Sequence, residues 1–148
     1  MYPARSLNLF LHLLVAAALC GPVTALADIA VEDAWARATP PGARTGAVYL
    51  TLVNDGKTDA LVAAATDAAD RAELHTHVHE NGMMAMREVG AIELPPGGEA
   101  RLKPHGDHVM LFGLRGPLVA GETISLTLEF ASAEPLTVEI PVRDGRSR

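Results

Sequence analysis

The sequence predicts an all-β fold in a single domain, a sandwich or Greek-key barrel. Apolar or alternating segments of strand length recur at roughly ten-residue intervals, the spacing usual for such domains. Gly, Pro and Asn turn residues separate them, and no stretch keeps a helical apolar period for long. Aromatic residues make up only 4% of the chain, so the core has to be built from Val, Leu, Ile and Ala.

Taken in order, Ile29 to Trp35 reads as a first strand, ended by Thr39-Pro40-Pro41-Gly42. In Gly46 to Val53, Val48, Leu50 and Leu52 alternate against Tyr49 and Thr51, and Asn54-Asp55-Gly56 turns the chain. Leu61 to Ala65 is a third strand, followed by a loop or helical turn over Thr66 to Asp70. Ala72 to His79 and Met84 to Val89 flank Asn81-Gly82, a dipeptide that favours the tight turn of a hairpin. Ile92 to Leu94, the Pro95-Pro96-Gly97-Gly98 break and Ala100 to Leu102 come next. A further strand runs from Val109 to Leu114, and Thr123 to Phe130 and Leu136 to Val142 close the domain. The polar tail from Asp144 to Arg148 is expected to fray.

Residues 1–27 read as a secretory signal peptide. Arg5 supplies a basic start, Leu7 to Leu19 is mostly apolar, and Ala25-Leu26-Ala27 offers small residues for cleavage before Asp28. This apolar run is shorter than the ~20 residues that span a bilayer, so no stable membrane insertion is expected after cleavage. The expected organisation is a leader over 1–27 and a β-domain over 28–148, with its core at about 28–142. Cys20 is the single cysteine and lies in the leader; Leu19 before it is not the small residue that lipidation requires. A mature chain without a thiol excludes disulfides, thiolate metal sites, cysteine nucleophiles and a blue-copper centre. The formal charge of −6 becomes −7 once Arg5 is removed. With no Lys/Arg-rich stripe, no nucleic-acid partner is expected.

The chemistry is concentrated between His75 and Met110. Five of the six histidines (His75, His77, His79, His105 and His108) fall there, as do all four methionines other than the initiator (Met83, Met84, Met86 and Met110). Imidazole suits several transition metals, and thioether sulfur selects for Cu(I). Residues two apart on a strand share a face, so His108 and Met110 project together, and His75, His77 and His79 form a second row of imidazoles. The Asn81-Gly82 hairpin brings Met86 toward the strand that carries His75.

His75, ten intervening residues, Met86, twenty-one more, then His108-Val109-Met110 resembles the H-x10-M-x21-H-x-M signature of the periplasmic copper chaperones called PCu(A)C. The likeness extends to Asp33-Ala34-Trp35-Ala36-Arg37-Ala38, Pro40-Pro41-Gly42, Gly46-Ala47-Val48-Tyr49 and Leu111-Phe112-Gly113-Leu114. It implies a compact β-barrel related in shape to cupredoxins, and one Cu(I) held by His75, Met86, His108 and Met110. It also implies a periplasmic location and delivery to the copper centres of cytochrome c oxidase or to its assembly factors.

Simpler roles compete at each position. Methionine is more often core filler than ligand. Met86 and Met110 stand out because each lies at the family spacing and because methionine is absent from the mature chain outside this region. Met83 and Met84 are read as packing or shielding residues. His77 and His79 are auxiliary ligand candidates or a solvated strand face, and either could join His75 on the harder ion Cu(II). His105 is read as a turn residue before a metal ligand, Trp35 as a core residue, and Arg37 as structural. Asp107, next to His108, faces the wrong way to orient its imidazole. No catalytic residue is expected: His75-Thr76-His77 resembles half of a cupin motif, but Glu80 comes too early and the second motif is missing. A copper-buffering protein without a delivery role is the alternative that uses the same site.

Overall fold

The computed structural model describes residues 28–145. The leader over 1–27, with Cys20, lies outside the described residues. Among the described residues there are ten strands and no helix. They are β1 (Ile29–Arg37), β2 (Thr45–Asn54), β3 (Asp59–Ala65), β4 (Ala69–Glu80) and β5 (Met83–Glu88). The chain continues through β6 (Ile92–Leu94), β7 (Gly98–Leu102), β8 (His108–Leu114), β9 (Thr123–Phe130) and β10 (Leu136–Arg143). Each predicted segment is present, most of them longer by one to three residues because ladder hydrogen bonds extend into the flanking polar residues.

The strands form one sheet in the order β5-β4-β8-β2-β1-β10-β9-β3-β6, with β7 paired to the second half of β2. All pairings are antiparallel except β1 with β10, which runs parallel. The two halves of the sheet enclose an aliphatic core in a cupredoxin-like barrel. Val48, Leu50 and Leu52 of β2 meet Leu61, Leu74, Leu94, Val109, Leu111, Leu126, Leu128 and Ile140 there. Nine of these eleven are completely excluded from solvent, so alternation is strict where it matters. At about 25 cal/mol per Å2 of apolar surface removed from water, each such leucine contributes roughly 1.5–3 kcal/mol.

Two local features decide which side chains face the site. The β4–β5 hairpin closes through Asn81 and Gly82, whose φ values of 53° and 77° are those of a two-residue hairpin turn. That loop length fixes the register, pairing Glu80 with Met83, His79 with Met84 and His77 with Met86. The second feature is a bulge in β1 between Glu32 and Trp35, where Asp33 has φ 48°. One extra residue reverses the alternation, so Ala36 is fully buried and Trp35 emerges on the other face. Trp35 therefore does not join the core as expected. It packs against Tyr49, the ring centroids 4.8 Å apart and the planes tilted by 41°.

Candidate metal centre

Four neighbouring strands build the site on the face of the sheet opposite the core. On β4, Glu73, His75, His77 and His79 alternate with inward-facing Leu74. Strand β8 lies beside β4 with His75 opposite His108 and Glu73 opposite Met110. Strand β5 brings Met86 opposite His77, and β2 sets Ala47 opposite Met110. Tyr49, two residues along from Ala47, sets its ring 6.2 Å from that of His108 between centroids, tilted by 48°. The ring of His108 lies 6.0 Å from that of His75 and 5.2 Å from that of His77.

A cavity of about 320 Å3 opens over this face, lined by His77, Met86, His105, His108, Met110 and Tyr49, with Arg37 and Pro104 at its margin. Met86 is half exposed, whereas His108 is only 2% exposed. His75 sits to one side, between Phe112 and His108, its ring centroid 5.6 Å from that of Phe112. His105 occupies the turn with φ 65°, as expected, and its ring also stands 5.9 Å from that of His77. His79 is exposed opposite Met84, and Met83 is 71% exposed beside the turn. A larger cavity of about 500 Å3 lies near the far end of β2. Its buried polar groups, Asn54 and Asp59, are occupied by hydrogen bonds to backbone groups of the surrounding turns.

Hydrogen bonds fix which ring nitrogen each histidine offers. The Nδ1–H groups of His77 and His108 both donate to the Gly106 carbonyl oxygen, at 3.2 and 3.0 Å. In the neutral rings this leaves the lone pair on Nε2. His75 is the reverse case. Its Nε2 bonds to the Glu73 carboxylate at 2.9 Å, and because a carboxylate only accepts, the hydrogen lies on Nε2. The Nδ1 of His75 is buried without a hydrogen-bond partner. A buried, unpartnered lone pair is costly unless something binds it, which fits a metal ligand.

Charge completes the arrangement. Burial holds the His108 imidazole below the usual imidazole range, and the nearby His77 and His75 rings act in the same direction. The neutral, ligand-competent ring is therefore favoured. The hydrogen bond from His75, followed by that from Arg71, holds the Glu73 carboxyl below the usual carboxylate range. Arg71 meets Glu73 at 2.6 Å and lies over the Phe112 ring at 4.6 Å, so the orienting carboxylate is itself anchored. On the opposite side, Arg37 packs 5.8 Å from the Tyr49 ring.

Among the described residues, no group of three His, Cys, Asp or Glu side chains is arranged to hold a metal ion. The donor set on this face is instead mixed, imidazole with thioether. Sequence reasoning found the histidines and methionines but missed Glu73 and the Gly106 carbonyl as orienting groups. Glu73 carried a readable signal, since it lies two residues before His75 on one strand face. The carbonyl carried none.

Comparison with known proteins bears on the fold and the family. The copper-bound PCuAC domain of PmoF2 superposes with a TM-score of 0.68 at 25% identity, over 81% of this chain and 96% of that one. Cu(I)-DR1885 from Deinococcus radiodurans matches at TM-score 0.60 and 37% identity, over 79% of this chain and 80% of that one. Its apo form matches at 0.64 and 34%, over 99% and 98%. The all-β barrel is thus the fold of PCuAC copper-binding domains. The Putative lipoprotein Lxx21020 of Leifsonia xyli subsp. xyli (strain CTCB07) is 37% identical over 118 residues, 78% of this chain and 70% of that protein. Residues 29–142 match the family described as Putative lipoprotein LpqE-like, and the chain belongs to that family.

Proposed function

We propose that this protein is an exported copper carrier that holds one Cu(I) through His75, Met86, His108 and Met110 and passes it to a partner. The observation that carries the reading is that these four residues share one sheet face, on three adjacent strands, with one lone pair on each imidazole left for a metal. Two neutral imidazoles and two thioethers add no charge, so the bound ion keeps its single positive charge. Without a thiolate or carboxylate ligand the site holds copper firmly enough to carry and loosely enough to release. The half-exposed thioether of Met86 gives an incoming ligand of the recipient a point of attack. His77, His79 and His105 are auxiliary, and recruiting them would adapt the site to Cu(II).

The carrier reaches the periplasm through a signal peptide over 1–27, cleaved before Asp28, and its partner is a copper-accepting oxidase subunit or a copper assembly factor. The names of the Leifsonia relative and of the family support export. The copper-bound states of the PmoF2 domain and of DR1885 support the cargo. Carriage, with no chemical turnover, needs no catalytic residue.

An anaerobic Cu(I) titration against a chromophoric chelator, beside the Met86→Ala/Met110→Ala variant, tests the reading. One equivalent bound by the wild type and much weaker binding by the variant is the expected result. Equal binding by both would make the methionines packing residues. Transfer of the loaded ion to an oxidase copper domain separates delivery from copper buffering.

A further inference from the structure

The family spacing selects His75, yet the open cavity contains His77. Of the four proposed ligands, Met86, His108 and Met110 line that cavity, and the imidazole lining it with them from β4 is His77. His77 is directly opposite Met86 across the hairpin, whereas His75 is opposite Glu88. The ring of His77 is also nearer to that of His108, 5.2 Å against 6.0 Å for His75. His77 and His108 share the Gly106 carbonyl as acceptor, so both present Nε2. His75 is held aside by Glu73, and its one free nitrogen is shut away from solvent.

We propose that His77 is an exchange ligand, so that Cu(I) is first held in the open cavity by His77, Met86, His108 and Met110, and His75 then replaces His77 as the ion settles toward β8. This rests on the carrier reading above and adds a second, overlapping set of ligands that shares three members with the first. The step balances simply. A bond from copper to His77 Nε2 breaks as one to His75 Nδ1 forms, the ion remains Cu(I), and no proton moves, because each ring already carries its hydrogen on its other nitrogen. Release runs in reverse, with His77 offering the ion back to the cavity mouth.

The test uses the purified protein with Cu(I) supplied and withdrawn by a chromophoric chelator under anaerobic conditions, following both equilibrium and rate. His77→Ala, and His77→Gln as a variant that keeps a hydrogen-bond donor on β4, should still bind one equivalent through His75. Both should load and unload on the order of tenfold more slowly than the wild type. His75→Ala should still bind one equivalent, weakened by at least the ~10–100-fold that loss of even an outer-shell partner costs. Nitrogen NMR of that variant should show the His77 Nε2 resonance shifting on copper addition. The His75→Ala/His77→Ala variant should lose stoichiometric binding. If His75→Ala binds no better than the double variant, or if both His77 variants exchange copper at the wild-type rate, the exchange role is overturned while the carrier reading stands. If the wild type itself takes up no Cu(I), both fall.

Discussion

Replacing Glu73 with alanine should weaken copper binding without unfolding the protein. The carboxylate accepts the Nε2–H of His75 at 2.9 Å, where the two side chains are only 21% and 12% exposed. Without it the ring is free to take the other tautomer or to turn, and Nδ1 is no longer held ready. Loss of such an orienting partner costs about 10–100-fold in metal affinity, which is about 1.4–2.7 kcal/mol. The stability cost should be smaller, because the Arg71 partner is 63% exposed and exposed ion pairs contribute only about 0–1 kcal/mol. Cu(I) competition gives the affinity and urea unfolding of the metal-free protein gives the stability. Glu73→Gln, which keeps an acceptor oxygen and loses the charge, should fall between wild type and Glu73→Ala. Wild-type affinity in Glu73→Ala would refute the reasoning, as would nitrogen NMR placing the His75 hydrogen on Nδ1 in the metal-free protein.

Acid should act on the protein through His108. Its folded pKa is depressed, chiefly by burial, so its neutral form contributes stability that is fully present above the unfolded imidazole value of about 6.5. That contribution is lost as pH falls from there through the lower folded value. Denaturant midpoints of the metal-free protein measured down a pH series should decline across that window, and decline less in His108→Asn. Copper affinity should fall over the same range as protons compete for the imidazoles, so a flat Cu(I) affinity between about pH 7.5 and 5 would argue against histidine ligands. At the far end of the barrel, Asp59 accepts from the backbone N–H groups of Ser132 and Ala133 at 2.9 and 2.8 Å. Asp59→Ala should cost about 1–3 kcal/mol in urea unfolding, since it removes two part-buried hydrogen bonds of about 0.5–1.5 kcal/mol each, and should leave copper affinity unchanged. Mass spectrometry of the protein exported by its native host should show a mature chain starting at Asp28; a lipid on Cys20 would instead make it a lipoprotein, as its Leifsonia relative is named.

Most of the barrel was legible because its strands alternate strictly and their turns carry Gly, Pro or Asn at the points where the chain reverses. The hairpin was legible too: the Asn81-Gly82 turn brings Met86 back toward the strand that carries His75, and the structure sets it opposite His77. Trp35 was misplaced because alternation assumes an unbroken ladder, and nothing in Glu32-Asp33-Ala34 announces the bulge that reverses it. The pairing of His75 with His108 joins strands distant in sequence, and no local period encodes which strands become neighbours. Spacing therefore identified candidate ligands, while the tautomers, the Glu73 anchor and the offset between His75 and the cavity depended on side-chain directions set by tertiary packing.

One backbone oxygen, that of Gly106, aims two imidazoles at once. Because the acceptor belongs to the main chain, no side-chain replacement at position 106 deletes it. A methyl group added there would meet the Lys103 Cγ at 3.3 Å, the side of a long, flexible chain that can yield. An alanine scan would therefore pass over Gly106 as neutral. The aim of both rings is instead inherited from the path of the loop between Leu102 and His108, which makes loop length the property to which this centre is most sensitive: one residue inserted or removed there would misdirect two ligand candidates together.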